Sequence, residues 1–223
     1  YEELDSLNER YLPDEPIEEP YLTLCSTNAA AQQINKDRLA LLTTPSFYYS
    51  GEVKGDFNPK LFPTDYKLEL RLDGPVMLIR NDPEKRFVNG SLARIVGLEE
   101  EKIIVSMTSD GGKSEVFELP KMTWEVNKYT LSTDTDNPIK AEVIGSFIQY
   151  PVRLAWAVTI HKSQGKTYER VAIDLGRGAF EHGQTYVALS RCTSLNGVFL
   201  KKPLTPRDIM VDERVAEFYE TMR

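Results

Sequence analysis

The chain has 223 residues and a mass of 25.4 kDa, is 41% hydrophobic and 27% charged, and carries a formal net charge of −7. That mix argues for a folded core and against global disorder, and no apolar run reaches the ~20 residues of a membrane helix. Two cysteines, Cys25 and Cys192, cannot build a disulfide scaffold, no Cys or His spacing suggests a metal site, and the acidic opening Tyr1-Glu-Glu-Leu-Asp is unlike a signal peptide, so a reducing, cytoplasmic setting with no membrane partner is expected.

Residues 1–20 hold eight acids and one Arg, with Pro13, Pro16 and Pro20 among them, and read as an extended acidic linker entering a domain. Tyr21-Leu-Thr-Leu-Cys25 reads as a buried strand. Ser26, Thr27 and Asn28 are good helix caps, and a helix is predicted over Ala29 to Leu42. From residue 43 to 150 the texture changes to short β-rich runs punctuated by Gly and Pro. Strand-like stretches occur at 76–79, 91–96, 102–107, 114–119, 124–131 and 141–148, a spacing that suggests a small antiparallel barrel. The α/β texture then returns. A strand is predicted over Val152 to Ala157, a polar turn and short helix over Thr159 to Gly165, and a strand over Arg170 to Leu175. A helix follows over Gly183 to Cys192, then a strand over Gly197 to Leu200 and a closing helix over Arg214 to Met222. The expected architecture is an α/β domain with a parallel sheet, interrupted by a β-barrel insert.

The charge is not evenly spread. Residues 151–207 hold nine bases and three acids. The net charge of the whole chain argues against a generic nucleic-acid binder, yet this stretch is where a polyanion would dock. A solvated basic face is the competing reading.

Two Gly-Lys-Ser/Thr triplets, Gly112-Lys113-Ser114 and Gly165-Lys166-Thr167, fail the phosphate-loop test. The required preceding Gly is replaced by Met107 in the first and by Ile160 in the second. Any nucleotide chemistry here therefore proceeds without the main phosphate-binding loop. Thr159, His161, Lys162, Ser163 and Gln164 crowd donors of different reach into one segment, suited to phosphates of a nucleic-acid backbone or to a capped helix start with solvated polar residues. In Tyr186-Val-Ala-Leu-Ser-Arg191 the arginine could project into an interdomain cleft and grip a phosphate, or form an ordinary surface ion pair.

Thr159-Ile-His-Lys-Ser-Gln-Gly165 followed by Val171-Ala-Ile-Asp-Leu175 resembles motif V of the superfamily-one DNA helicases of the RecD, Dda and PIF-type group. Tyr186-Val-Ala-Leu-Ser-Arg-Cys-Thr193 resembles their motif VI, and Leu24-Cys-Ser-Thr-Asn28 with Ile34-Asn35 is similar to the looser motif IV. Val76-Met-Leu-Ile-Arg-Asn with Val88-Asn-Gly90 is similar to the opening of the SH3-like barrel inserted in that domain. The PIF-type enzymes are nearest in flavour. Ser26 departs from relatives with an Arg in motif IV, and Ala93 stands where a Gly is expected.

The resemblance implies a RecA-like domain over 21–65 and 150–223, an SH3-like insert over 66–149, and a linker over 1–20 from a first motor domain. It implies the second motor domain of a 5′-to-3′ DNA helicase. In that role Arg191 is the arginine finger, reaching the nucleotide from the carboxyl ends of the sheet strands. Gln164 and Gly165 line the nucleotide side, and Thr27, Asn28, Thr159, His161, Lys162 and Ser163 meet single-stranded DNA. ATP and Mg²⁺ would be held mainly by the first RecA-like domain, so this stretch alone is expected to be inactive. A non-enzymatic nucleic-acid-binding module and a protein-interaction module are the alternatives.

Overall fold

In this computed structural model the described residues are 2–13, 21–108, 112–131 and 139–222. In chain order the elements are α1 (Glu2–Asn8), β1 (Leu22–Cys25), α2 (Asn28–Leu41), β2 (Phe47–Ser50), β3 (Glu52–Gly55), β4 (Lys67–Leu70), β5 (Pro75–Leu78), β6 (Leu92–Glu99), β7 (Lys102–Thr108), β8 (Ser114–Glu118), β9 (Met122–Leu131), β10 (Ile139–Gln149), β11 (Val152–Leu154), β12 (Ala157–Thr159), β13 (Val171–Asp174), α3 (Gln184–Leu189), β14 (Val198–Leu200) and α4 (Glu213–Thr221), with short 3-10 turns between several of them. They form two compact units, Tyr1–Ala40 with Ala155–Arg223, and Leu41–Leu154.

The first unit is built on a four-stranded sheet in the order β12-β1-β13-β14, parallel throughout. Parallel strands covered on both faces read as continuous apolar runs. All four residues of β1 are buried, as are Val171, Ala172 and Ile173 of β13. Ala31 of α2 packs with Cys25 and Ala157 over the sheet. Burial, and secondarily the Asp174 carboxylate, pushes the Cys25 thiol up to about 12, which leaves it an apolar packing group rather than a nucleophile. Asn35, on α2, closes the exposed side of the outer strand. Its Nδ2 donates to the Ala157 carbonyl at 2.8 Å and its Oδ1 accepts from the Ala157 N–H at 2.9 Å.

The opening segment is not simply extended. Glu2, Glu3 and Asp5 fall in the first turn of α1, where negative charge favours a helix. Tyr11 then bridges to Leu200 in parallel fashion, the Leu200 N–H donates to the Arg10 carbonyl at 2.8 Å, and the Leu12 N–H donates to the Leu200 carbonyl at 2.9 Å. The remainder of the expected linker, residues 14–20, lies outside the described residues.

The second unit is antiparallel in every pairing. Its sheets have the orders β11-β5-β6-β7-β8, β3-β10-β9 and β2-β4. One apolar core, including Leu70, Val76, Ile95, Val105 and Tyr150, lies within it. The insert begins earlier than residue 66, because β2 pairs with β4 and β3 pairs with β10. It also ends later. The single strand expected over 152–157 is two strands, β11 bonded to β5 and β12 bonded to β1, with the division between Leu154 and Ala155.

Asn35→Ala leaves a strand N–H and C=O at Ala157 to find other partners. We expect a loss of about 1–3 kcal/mol in urea unfolding, whereas an exposed α2 substitution such as Gln32→Ala should be neutral.

Candidate functional site

Because the four strands of the first sheet are parallel, their carboxyl ends share one edge, the usual place for ligands on open α/β sheets. Ser26–Asn28 follow β1, the 3-10 turn Ile160–Ser163 follows β12, the loop 175–183 follows β13, and Lys201 and Lys202 follow β14. Ser26 ties two of these together, its Oγ donating to the Leu175 carbonyl at 3.0 Å. Thr27 caps α2, its Oγ1 accepting from the Ala30 N–H at 3.2 Å. Lys162 Nζ donates to Asn28 Oδ1 at 2.8 Å, and His161 Nε2 lies 2.8 Å from Glu181 Oε2. Thr27, Asn28, His161 and Lys162 are exposed.

Thr159 and Ser163 are placed otherwise than a strand-binding role requires. Both are buried, and Ser163 Oγ donates to the Ile160 carbonyl at 2.6 Å. Thr159 is buried as the last residue of β12, and for Ser163 the cause is the turn type. With three residues per turn, positions 160 and 163 eclipse and share the inner side, while His161 and Lys162 fall outside.

Gln164 and Gly165 are exposed, and Gly165 takes φ +73 in a turn closed by the Lys166 N–H donating to the Ser163 carbonyl at 3.1 Å. The same turn meets Arg191. Its Nη1 donates to the Lys166 carbonyl at 2.9 Å, its Nε to the Val187 carbonyl at 3.0 Å, and its Nη2 to Ser190 Oγ at 2.9 Å. Among the described residues no carboxylate pairs with it. Burial pushes the neighbouring Tyr168 phenol up to about 12, against the opposing pull of Arg191, so that ring stays neutral. The guanidinium is half-buried and fixed by neutral acceptors.

Arg191 does not sit at the carboxyl ends of the strands. The loop after β13 leaves the sheet at that end, and α3 carries the chain back towards the start of β14. The parallel bridge Tyr168↔Cys192 and the Tyr168 N–H donating to the Arg191 carbonyl at 2.8 Å lie before β13 and β14, at their amino ends. Gly197 makes this close approach possible, since a Cβ there would lie 1.9 Å from the Glu169 carbonyl oxygen and 2.7 Å from Cys192 Sγ.

The loop 175–183 is pinned by Asp208, which the sequence reading did not single out. Asp208 is buried and accepts from the Ala179 N–H at 2.9 Å and from the Thr205 N–H and Oγ1, both at 2.8 Å. Gly178, at φ +123, would place a Cβ 2.9 Å from Asp208 Oδ1. The signal was present as Thr205-Pro206-Arg207-Asp208, a capping box with Pro after the cap. Glu181, which meets His161, carried no such signal. Lys202 adds a further tie, its Nζ donating to the Gly176 carbonyl at 2.6 Å.

A parallel sheet with helices and an antiparallel insert, with a pinned carboxyl end and an arginine without a carboxylate partner just after the helix before the last strand, is the arrangement of a RecA-like α/β domain. No family model matches the chain. It is 33% identical over 96% of its length to an ATP-dependent DNA helicase Pif1 of Bdellovibrio bacteriovorus, covering 46% of that protein. Unliganded Pif1 from Bacteroides sp superposes with a TM-score of 0.83 at 35% identity, over 99% of this chain and 50% of that one. The Bacteroides Pif1 helicase in complex with ADP-AlF3 and single-stranded DNA does so with a TM-score of 0.76 at 35% identity, over 99% and 49%. The chain is a homologue of the PIF-type DNA helicases and matches one region of them. It spans about half the length of the relatives it matches. Among the described residues no helix is long and apolar enough to cross a membrane.

Burial raises the Asp208 carboxyl, but hydrogen bonds from the Thr205 and Ala179 N–H groups and the Thr205 hydroxyl outweigh it and hold the group below its usual range. A lowered folded-state value contributes stability above about pH 4 that drains away as pH falls through that lower value. Asp208→Asn should therefore be less stable than the native chain at neutral pH and lose less on acidification. Urea midpoints measured from pH 7 to 3 test this, and parallel acid limbs would remove Asp208 from the account.

Proposed function

We propose that this chain is the second motor domain of an ATP-dependent 5′-to-3′ DNA helicase, supplying an arginine finger and contacts to single-stranded DNA. The observation that carries the reading is Arg191, a half-buried guanidinium bonded, among the described residues, only to neutral acceptors. A guanidinium has five N–H donors. Three are used, which leaves two for an anionic oxygen. The Bacteroides relative bound to ADP-AlF3 and single-stranded DNA supports both ligand classes.

These residues fit one edge of a phosphoryl group and no more. The phosphate loop, the Mg²⁺ ligands and most of the ATP site would come from the first RecA-like domain of the same polypeptide. ATP hydrolysis there would supply the free energy for stepping. On this side Arg191 would stabilise charge developing on the transferring phosphoryl group, and Gln164 and Gly165 would border it. Thr27, Asn28, His161 and Lys162 would meet the strand through phosphate contacts, which position without reading sequence. Thr159 and Ser163 would brace the turn from inside. The second unit would be the SH3-like barrel of this group.

In the intact protein, Arg191→Ala should bind ATP as the native enzyme does and lose ~10³–10⁵-fold in DNA-stimulated hydrolysis. Lys should not rescue, because a point charge cannot reproduce the fork. Retained turnover would end the finger assignment. Lys162→Ala should weaken single-strand binding about equally for all sequences and lower the salt slope of log K by about 1. An unchanged slope would place the strand elsewhere.

A further inference from the structure

We propose that Phe180 is a base-stacking platform for single-stranded DNA, a role that rests on the strand-binding reading above. Phe180 is 54% exposed in the loop after β13, although the backbone around it is held on both sides. The Ala179 N–H donates to Asp208 Oδ1 at 2.9 Å, and the Phe180 N–H donates to Gln184 Oε1 at 3.1 Å. The next residue, Glu181, brings its carboxylate to 2.8 Å from His161 Nε2. An aromatic side chain is thus presented to water from a backbone fixed at two successive N–H groups, beside a residue whose side chain is tied to His161.

A single exposed apolar side chain is ordinary by itself. What sets this one apart is its surroundings. The neighbouring Glu181 meets His161 of the turn that also carries Lys162, and its own loop carries exposed Arg177. Lys202, after β14, bonds to the Gly176 carbonyl of the same loop at 2.6 Å. Cationic groups for the backbone with an aromatic face among them is the composition of a single-strand site, in which every base offers a π-face and sequence matters little. A side chain with two rotatable bonds on a pinned loop gives up little entropy when a base lands on it.

Binding of a fluorescein-labelled oligo-dT to the 223-residue chain, followed by anisotropy across a salt series, tests this. Phe180→Ala should weaken binding about 5- to 150-fold, the range for losing one stacked base, with the salt slope unchanged. Phe180→Trp should keep the native affinity, and its added emission should be quenched when the strand binds. An oligonucleotide with abasic sites throughout should bind the native chain and Phe180→Ala alike. Because the side chain is exposed, the urea midpoint of Phe180→Ala should match the native one. Native affinity in Phe180→Ala overturns the platform, as does native affinity in Phe180→Leu, which would make the contact merely apolar. If the native chain binds no strand even at low salt, the strand-binding reading and the platform both fall, whereas binding that Phe180 does not affect removes the platform alone.

Discussion

A cation fastened by peptide carbonyls and a hydroxyl is fixed in place without being cancelled. Two carbonyls, from Val187 and Lys166, and the Ser190 hydroxyl orient the Arg191 fork. None carries a formal charge, so the partly desolvated guanidinium retains an unmet demand for an anion. A carboxylate partner in the same place would have made a structural ion pair and removed that demand. Tyr168 does not supply one, because burial holds its phenol neutral. Several features lower in the structure serve this arrangement. Gly197 permits Glu169 and Cys192 to meet, and that meeting sets the end of α3 beside the turn that ends at Lys166.

The stretch from Thr159 to Lys166 connects two ends of one sheet. It begins at the carboxyl end of β12, exposes His161 and Lys162 there, and finishes at the carbonyl that grips Arg191 near the amino ends of β13 and β14. Its middle is anchored by Ile160 and Ser163, both buried, with Ser163 bonded back to Ile160. Bound groups at the two ends can influence each other only through a difference in affinity between two arrangements of this segment. Moving the turn alone would expose Ile160 and break the Ser163 bond. Displacement of the turn together with β12 preserves both, and β12 is an outer strand whose Ala157 is tied to Asn35 of α2 on the side away from β1.

Much of the α/β unit was legible because parallel strands buried on both faces leave unbroken apolar runs, as in Leu22–Cys25 and Val171–Asp174. The caps at Ser26 to Asn28 marked α2 for the same local reason. What was not legible depended on pairing. Val152 to Ala157 alternates like one strand, yet its two halves bond to different sheets, a choice made by distant partners. Phe47–Ser50 and Lys67–Leu70 are each too short to stand out and become strands by pairing with each other. At the site, side-chain chemistry indicated which residues could act but not which way they faced. Thr159 and Ser163 have the hydroxyls a phosphate contact needs, yet Thr159 is buried in strand β12 and a 3-10 turn places Ser163 inside. Arg191 was recognisable by its neighbours in sequence, but its end of the sheet follows from the direction of α3, which only the topology reveals.

The basic carboxyl end of the sheet is less open than a charge count suggests. Of its donors, Lys162 is held by Asn28, His161 by Glu181 and Lys202 by the Gly176 carbonyl. A phosphate must displace or share these contacts, so each of the two lysine charges contributes less than a free one would. Exposed pairs of this kind are weak, typically ~0.2–1 kcal/mol, and therefore exchangeable. On the reading proposed above that is a useful property. A protein that advances along a strand must release each phosphate it takes, and lysines held by weak, exchangeable contacts on a chain of net charge −7 would let go readily. The local tethers then set the geometry of the empty site, so that the cations are presented in register before the strand arrives rather than ordered by it.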